Sequence, residues 1–457
     1  MDYVEIAKNV VEKSIENGAS QAEASVFMAD SSLTRYTKNH IHQNVNSETY
    51  YINLLVVVGK NKLGSSAINS VDPKDAEKVI ERAIKIAKVS TPDPEFVSLP
   101  ESKPVQQLEG IYSKTTESIT PIDRADTIKT ILDTSNDYDK KVKWSAGSYE
   151  TDLVHFAIAN SLGIENYMKY THGILEVNTR AGEDAIEGAG YRAVYVHDVS
   201  KINPVELAKS SAKDAVDSIN PKTLDIGEYE AIFPPAAMST FTGFMALLGF
   251  SAKSYQEGNN FLRDKIGSQV FDEKLNIIDD GRSLETYNAS PFDGEGTPKQ
   301  KLILVKDGIP MNLCYDNYYA KKDNLDSTGH ALPKFSRGFF YRGVPIPVNQ
   351  IIESKDSETQ EMIEDTKKGV YITRLHYVNP IRHDLAVISG MTRDACWYIE
   401  NGEIKYPIKV MRFTDSIPRM FKNVDMIGSD STVNITSTLT SPTIKVSSFK
   451  FTGQSEF

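Results

Sequence analysis

Eight histidines, at positions 40, 42, 155, 172, 197, 330, 376 and 383, and two cysteines, Cys314 and Cys396, are the side chains able to offer nitrogen or sulfur to a transition metal. Their spacing matches no standard site. The sequence holds no HExxH zinc helix, no GxxxxGK[ST] phosphate loop and no GxSxG nucleophile elbow. His40 and His42 lie two apart and would share one face of a strand, but no third ligand stands near them, so an exposed strand face is the simpler reading. The densest cluster is HYVNPIRHD, residues 376–384, in which His376, His383 and Asp384 are candidate metal ligands. A turn around Asn379 and Pro380 explains the same residues without a metal. Two cysteines are too few for a disulfide framework and read as small buried hydrophobes.

Carboxylates offer a second chemistry. In SPFDGEGTP, residues 290–298, Asp293 and Glu295 sit among glycines that allow close backbone approach. A carboxylate pair suits proton transfer, while the ordinary alternative is a solvated turn. In STGH, residues 327–330, Gly329 places His330 in a polar loop.

These residues must be positioned by a chain of 457 residues with 62 acidic and 51 basic side chains, a net charge of −11. That balance excludes a broadly basic nucleic-acid binder. A hydrophobic share of 40% supports packed cores. No apolar run reaches the roughly 18–20 residues that span a bilayer, and MDYVEIAKNV lacks the order of a signal peptide, so a cytoplasmic protein is expected.

The spacing of Val4, Ala7, Val11 and Ile15 predicts a helix over Tyr3–Asn17, followed by β-rich runs from Ala22 to Ser66. Asp72 and Pro73 then open a second helix. The order recurs: Thr120 and Pro121 open a helix, β-like runs cover Trp144–Ile158, Leu162–Lys169, Gly173–Val177 and Ala193–His197, and Asn203 and Pro204 open another helix. Residues 1–90 and 120–220 thus each read helix, strands, helix, as two related halves of one layered α/β domain over 1–220. Residues 221–457 read as a mostly antiparallel β, barrel-like domain, giving an α+β fold overall. Within it, Pro235–Phe250 is apolar on every side and predicts a buried helix. Asp307-Gly308 and Asn401-Gly402 predict hairpins, and Thr432–Phe451 should end in strand.

Five segments in order, SPFDGEGT (290–297), VKDG (305–308), DSTGHA (326–331), IENGEIKYP (399–407) and MIGSD (426–430), together resemble the TldD/PmbA family, described as zinc-dependent peptidases and as modulators of DNA gyrase. The TPDP break at 91–94 fits as well. In that family the TldD-like subunit carries an HExxxH zinc helix and a late cysteine ligand, and the resemblance places that helix at Pro235–Phe250. No histidine lies between His197 and His330, and no cysteine follows Cys396. The resemblance therefore implies the PmbA/TldE-like branch: a subunit without zinc of its own, completing the peptide chamber of a heterodimer in which a TldD-like partner holds the zinc. It implies a peptide substrate, neither direct nucleic-acid binding nor membrane association, and Asp293, Glu295, Gly329 and His330 as candidate peptide-cleft or interface residues. Two alternatives remain open. One is an autonomous metal-dependent peptidase drawing on His330, His376, His383, Asp293, Glu295 and Asp384; the other is a homodimeric peptide-binding or scaffold protein without hydrolysis.

Overall fold

The computed structural model describes residues 1–185, 187–333, 344–433 and 440–454. Its first part is built from local signals the sequence displays. Helix α1 (Tyr3–Glu16) begins at Asp2, whose carboxylate accepts the Val4 and Glu5 N–H groups. Strands β1 (Gln21–Thr37), β2 (His40–Val58) and β3 (Lys62–Ile68) follow, then α2 (Pro73–Val89), capped by Asp72. After the short α3 (Lys114–Glu117), a reciprocal capping box between Thr120 and Asp123 starts α4 (Pro121–Tyr138). Then come β4 (Val142–Asn160), β5 (Glu165–Ala181), β6 (Gly188–Val196) and α5 (Pro204–Asp217), capped by Asn203. Strand β5 is continuous where the sequence pattern suggests two runs. Its pairing with β4 extends from Glu165 to Ala181, and Gly173 interrupts the apolar pattern only because Val199 packs where its Cβ would be.

All six strands form one sheet in the order β3-β2-β1-β4-β5-β6, so each helix–strands–helix unit gives its first strand to the centre. The third strand of each unit meets that unit's second helix at a glycine. A Cβ on Gly64 would lie 2.2 Å from the Ala83 carbonyl oxygen of α2, and one on Gly190 would lie 1.9 Å from the Ser211 carbonyl oxygen of α5. Alternation decides what the faces do. Ala24, Val26, Tyr36, Tyr149, Ala157, Leu175 and Val177 face the helices, whereas Phe27, Phe156, Ile158 and Met168 point the other way and pack with Phe292 from the second part of the chain. Fully burying a side chain of this size contributes about 1.5–3 kcal/mol.

The second part opens with β7 (Gly227–Phe233), α6 (Pro235–Gly249) and α7 (Ala252–Gln256). Next are β8 (Ile277–Asp280), β9 (Lys301–Lys306), β10 (Ile309–Pro310), α8 (Asn317–Lys322), β11 (Gln350–Ile352) and α9 (Thr359–Asp365). The long hairpin β12 (Lys368–Arg382) and β13 (Val387–Glu400) leads to β14 (Glu403–Pro407), β15 (Met411–Ser416) and α10 (Ile417–Lys422). The chain closes with β16 (Val424–Ile427), β17 (Thr432–Val433), β18 (Thr440–Ser441) and β19 (Ile444–Gln454). Strands β12, β7, β19, β15 and β13 pair in succession, and β13 returns to β12, so the predicted barrel closes with five strands. Only its β12–β7 step is parallel. Phe241 of the apolar helix α6 packs edge-on against Phe233 and Phe449 of the barrel, with ring centroids 5.0 and 5.9 Å away.

A second sheet, β10-β9-β8-β11-β18-β17, carries the loops that concern function. Both predicted hairpin tips are present, with positive φ at Asp307, Gly308, Asn401 and Gly402. The expected terminal strand is β19; residues 434–439 of the same tail lie outside the described residues. Among the described residues no helix is long and apolar enough to cross a membrane.

Candidate functional site

The loops 290–299 and 326–332 lie side by side between the second sheet and the open face of the N-terminal sheet. Asp293 organises them. Its Oδ1 accepts the N–H groups of Glu295 and Thr297 at 2.9 Å each, and its Oδ2 accepts Ala331 N–H at 3.0 Å. Burial pushes its carboxyl pKa up against these three donors and the charge of Lys299. The Asn166 side chain of β5 donates to the Gly296 carbonyl at 2.8 Å, tying the loop to the N-terminal sheet.

His330 has no solvent exposure. Its Nε2 lies 3.1 Å from Oδ1 of Asp279 on β8, itself wholly buried, and its Nδ1 lies 2.9 Å from the Thr328 hydroxyl. The other Asp279 oxygen accepts Asn349 N–H at 2.7 Å. Nε2–H therefore donates to a carboxylate already fixed on its far side, an arrangement that locks the ring. Gly329 makes this possible. Its φ is +72°, and a Cβ there would lie 2.3 Å from the Pro298 carbonyl oxygen.

Glu295 differs from its neighbour. Half-buried, it accepts Asn317 N–H at 2.9 Å, and burial followed by repulsion from Asp316, Asp293 and Glu23 holds its carboxyl well above the usual range. The two carboxylates that the sequence pairs are thus brought together, one as a loop anchor and one as a group biased toward its protonated form. Gly329 and His330 join them through the Ala331 contact to Asp293.

The alternative ligand set does not assemble. Both His376 nitrogens lie against Arg393 Nη1, at 3.0 and 3.3 Å, and burial together with Arg393 and Arg374 pushes the imidazole pKa down. Asp384 is held by Arg382 at 2.9 and 2.7 Å, and His383 faces the Asn259 amide. Irregularities in the β12–β13 ladder between His376 and Asn379 and between Pro380 and Arg382 separate residues that are close in sequence. Guanidinium neighbours also repel any metal ion. His40 and His42 are exposed on β2, and Cys314 and Cys396 are buried, as expected.

Among the described residues one other group has metal-site spacing, Glu230, Asp365 and Asp425, whose oxygens lie within 4.8 Å of one another. The Lys445 ammonium fills it, 3.0 Å from Glu230 and 2.9 Å from Asp425 and in contact with Asp365. Among the described residues no group offers zinc a fitting donor set. None of the fifteen residues of α6 offers an imidazole, thiolate or carboxylate, and the carboxylate triad already holds a cation. Sequence reasoning missed Asp279 and Lys445, which sit in ordinary strand contexts; nothing local marks either.

The PmbA/TldA metallopeptidase C-terminal domain model matches residues 226–453, and the PmbA/TldA metallopeptidase central domain model matches residues 114–219. The chain belongs to this PmbA/TldD metallopeptidase family. It is 22% identical to metalloprotease PmbA of Escherichia coli O157:H7, over 82% of this chain and 80% of that protein. A metalloprotease TldD homolog of Buchnera aphidicola subsp. Acyrthosiphon pisum is 26% identical, over 72% of this chain and 68% of the relative. Among solved structures, TldE of Thermococcus kodakarensis superposes with a TM-score of 0.88 at 18% identity, covering 98% of this chain and all of that one (100%), and so shares the fold. These relatives support a peptidase role at the level of the family.

Proposed function

We infer that this chain is the TldE/PmbA-like subunit of a two-chain metallopeptidase, closing the peptide chamber around a zinc held by a TldD-like partner. The observation that carries the reading is α6. In a family of metallopeptidases, this chain devotes its buried apolar helix to packing, with Met238 and Thr242 wholly buried and Phe241 inserted among barrel phenylalanines. A subunit of this kind contributes shape and backbone partners to an extended peptide, and selects substrates by what the chamber admits. The chain is read as cytoplasmic, acting on unfolded or small peptides without touching DNA, in line with its net charge of −11.

The test is zinc stoichiometry by elemental analysis of the untagged chain purified alone, followed by peptide hydrolysis after mixing with a TldD-like chain. Near-zero zinc, with hydrolysis appearing only in the mixture, is expected. About one zinc per chain, or hydrolysis by the chain alone, sinks the reading.

A further inference from the structure

Between the open face of the N-terminal sheet and the loops just described lies a cavity of about 110 Å³. Its walls are largely apolar, with Met168, Phe292, Leu332 and Val348 among them. Two polar groups on its lining stand out. Lys299 is only 7% exposed, yet among the described residues its ammonium has no hydrogen-bond or ion-pair partner. Its stem is fixed by passage over Gly281, where a Cβ would meet the lysine Cδ at 2.6 Å. The second group is the Tyr170 hydroxyl, which also lacks a partner among the described residues, while its ring lies 4.9 Å from that of His172. Burial raises the Tyr170 pKa, so the phenol keeps its proton and stays a donor.

A buried ammonium that acts on the nearby Asp293 through its charge alone still has N–H donors without acceptors, a cost that a ligand's oxygens relieve. Asp293 lines the same cavity but directs both its oxygens at backbone N–H groups. Beside it the buried His172 is held neutral by burial and by its neighbour His197. Among the described residues the free capacity is therefore two donor groups in an apolar chamber. That combination complements a carboxylate on a small aliphatic group. The volume suits an end of a chain and not a stretch of it, since an engineered cavity of about 150 Å³ holds only a benzene-sized molecule.

We propose that this cavity binds the free C-terminal carboxylate of a peptide ending in a small residue such as alanine, with Lys299 and Tyr170 as donors to the anion. The proposal rests on the peptide-handling role inferred above. The same chemistry is offered by a free small carboxylic acid such as acetate, and the experiment separates the two sources.

Calorimetric titration of the full chain with tri-alanine, tri-alanine amide and acetate tests it. Tri-alanine should bind at least tenfold more tightly than its amide. Lys299→Met should weaken tri-alanine binding at least tenfold in a chain that a cooperative thermal unfolding transition shows to be folded, and Tyr170→Phe should weaken binding about threefold. Equal affinity for acid and amide, or unchanged binding in Lys299→Met, overturns the proposal. Acetate binding with tri-alanine excluded overturns the peptide terminus as the source. Hydrolysis of an amidated peptide by the two-chain complex is scored separately. If it proceeds while acid and amide bind the isolated chain equally, the cavity assignment fails and the subunit role stands; if acid is preferred and the complex hydrolyses nothing, the reverse holds.

Discussion

Replacing Lys445 by methionine removes the one cation among Glu230, Asp365 and Asp425 and keeps the shape of the side chain. Lys445 is 1% exposed, and burial alone would lower its pKa; the hydrogen bonds its ammonium donates to Asp365, Asp425 and Glu230 overturn that effect and hold it above the ordinary lysine range. Once it is gone, three carboxylate oxygens within 4.8 Å of one another lose the ammonium that contacts them all, and only the more distant charge of Lys367 still acts on Asp365. Each pair at that spacing repels by roughly 1 kcal/mol in a water-like dielectric and by roughly 3.5 kcal/mol at an effective constant of 20. The side chains of Asp365 and Asp425 are 60% and 40% exposed, so solvent screens them and the lower figure governs. Lys445→Met should then cost about 3 kcal/mol at pH 7. Urea unfolding followed by the fluorescence of Trp144 and Trp397 reads this directly. The sign with pH is fixed as well. Asp365 has a depressed pKa in the folded chain, so its contribution is present above the unfolded carboxylate value and fades as pH falls through the lower folded one. The gap between parent and variant should narrow toward acid, and millimolar Ca²⁺ should restore part of the lost stability of Lys445→Ala, since oxygen ligands in this arrangement suit a hard cation. Equal stability of parent and variant from pH 4 to 8, with no response to Ca²⁺, would refute the reasoning.

His330→Ala should cost about 2–4 kcal/mol, because it strands the buried Asp279 carboxylate; thermal unfolding checks this, and peptidase activity of the two-chain complex should fall only with the folded fraction. Glu295→Gln should stabilise the chain, and more at pH 8 than at pH 4. A carboxyl whose folded pKa is raised favours folding below the unfolded value and disfavours it progressively as pH rises through the folded one, so urea midpoints at the two pH values test the sign.

What the sequence disclosed was local. Caps at Asp72, Thr120 and Asn203 fixed helix starts, and the Asn401-Gly402 turn fixed a hairpin, because each signal acts over a few residues. The closure of the barrel through β12 and β13, with β7 alongside in parallel, depends on pairings between distant strands, and alternation alone does not specify partners. The site follows the same division. Asp293, Glu295, Gly329 and His330 were legible as polar residues beside glycines, whereas the partner that holds His330 lies 51 residues away in β8. At His376, His383 and Asp384 closeness in sequence does not become a shared ligand set, since Arg393, Asn259 and Arg382 are the partners of these side chains.

The central seam of the N-terminal sheet bears on synthesis. Strand β1 pairs with β2 through a two-residue turn, but its other edge waits for β4, whose partners run from Gly147 to Asn160. A ribosome moving at about 5–20 residues per second needs roughly 5–20 s to travel the hundred-odd residues from the end of β2 to the end of β4. During that interval the nascent chain presents an unpaired strand edge some fourteen residues long, Glu23 to Tyr36, half of its side chains apolar, of the kind that invites association with other chains. The first helix–strands–helix unit is therefore not a module that can be cut out and used, and the yield of the whole protein should depend on what shields β1 until its second partner emerges.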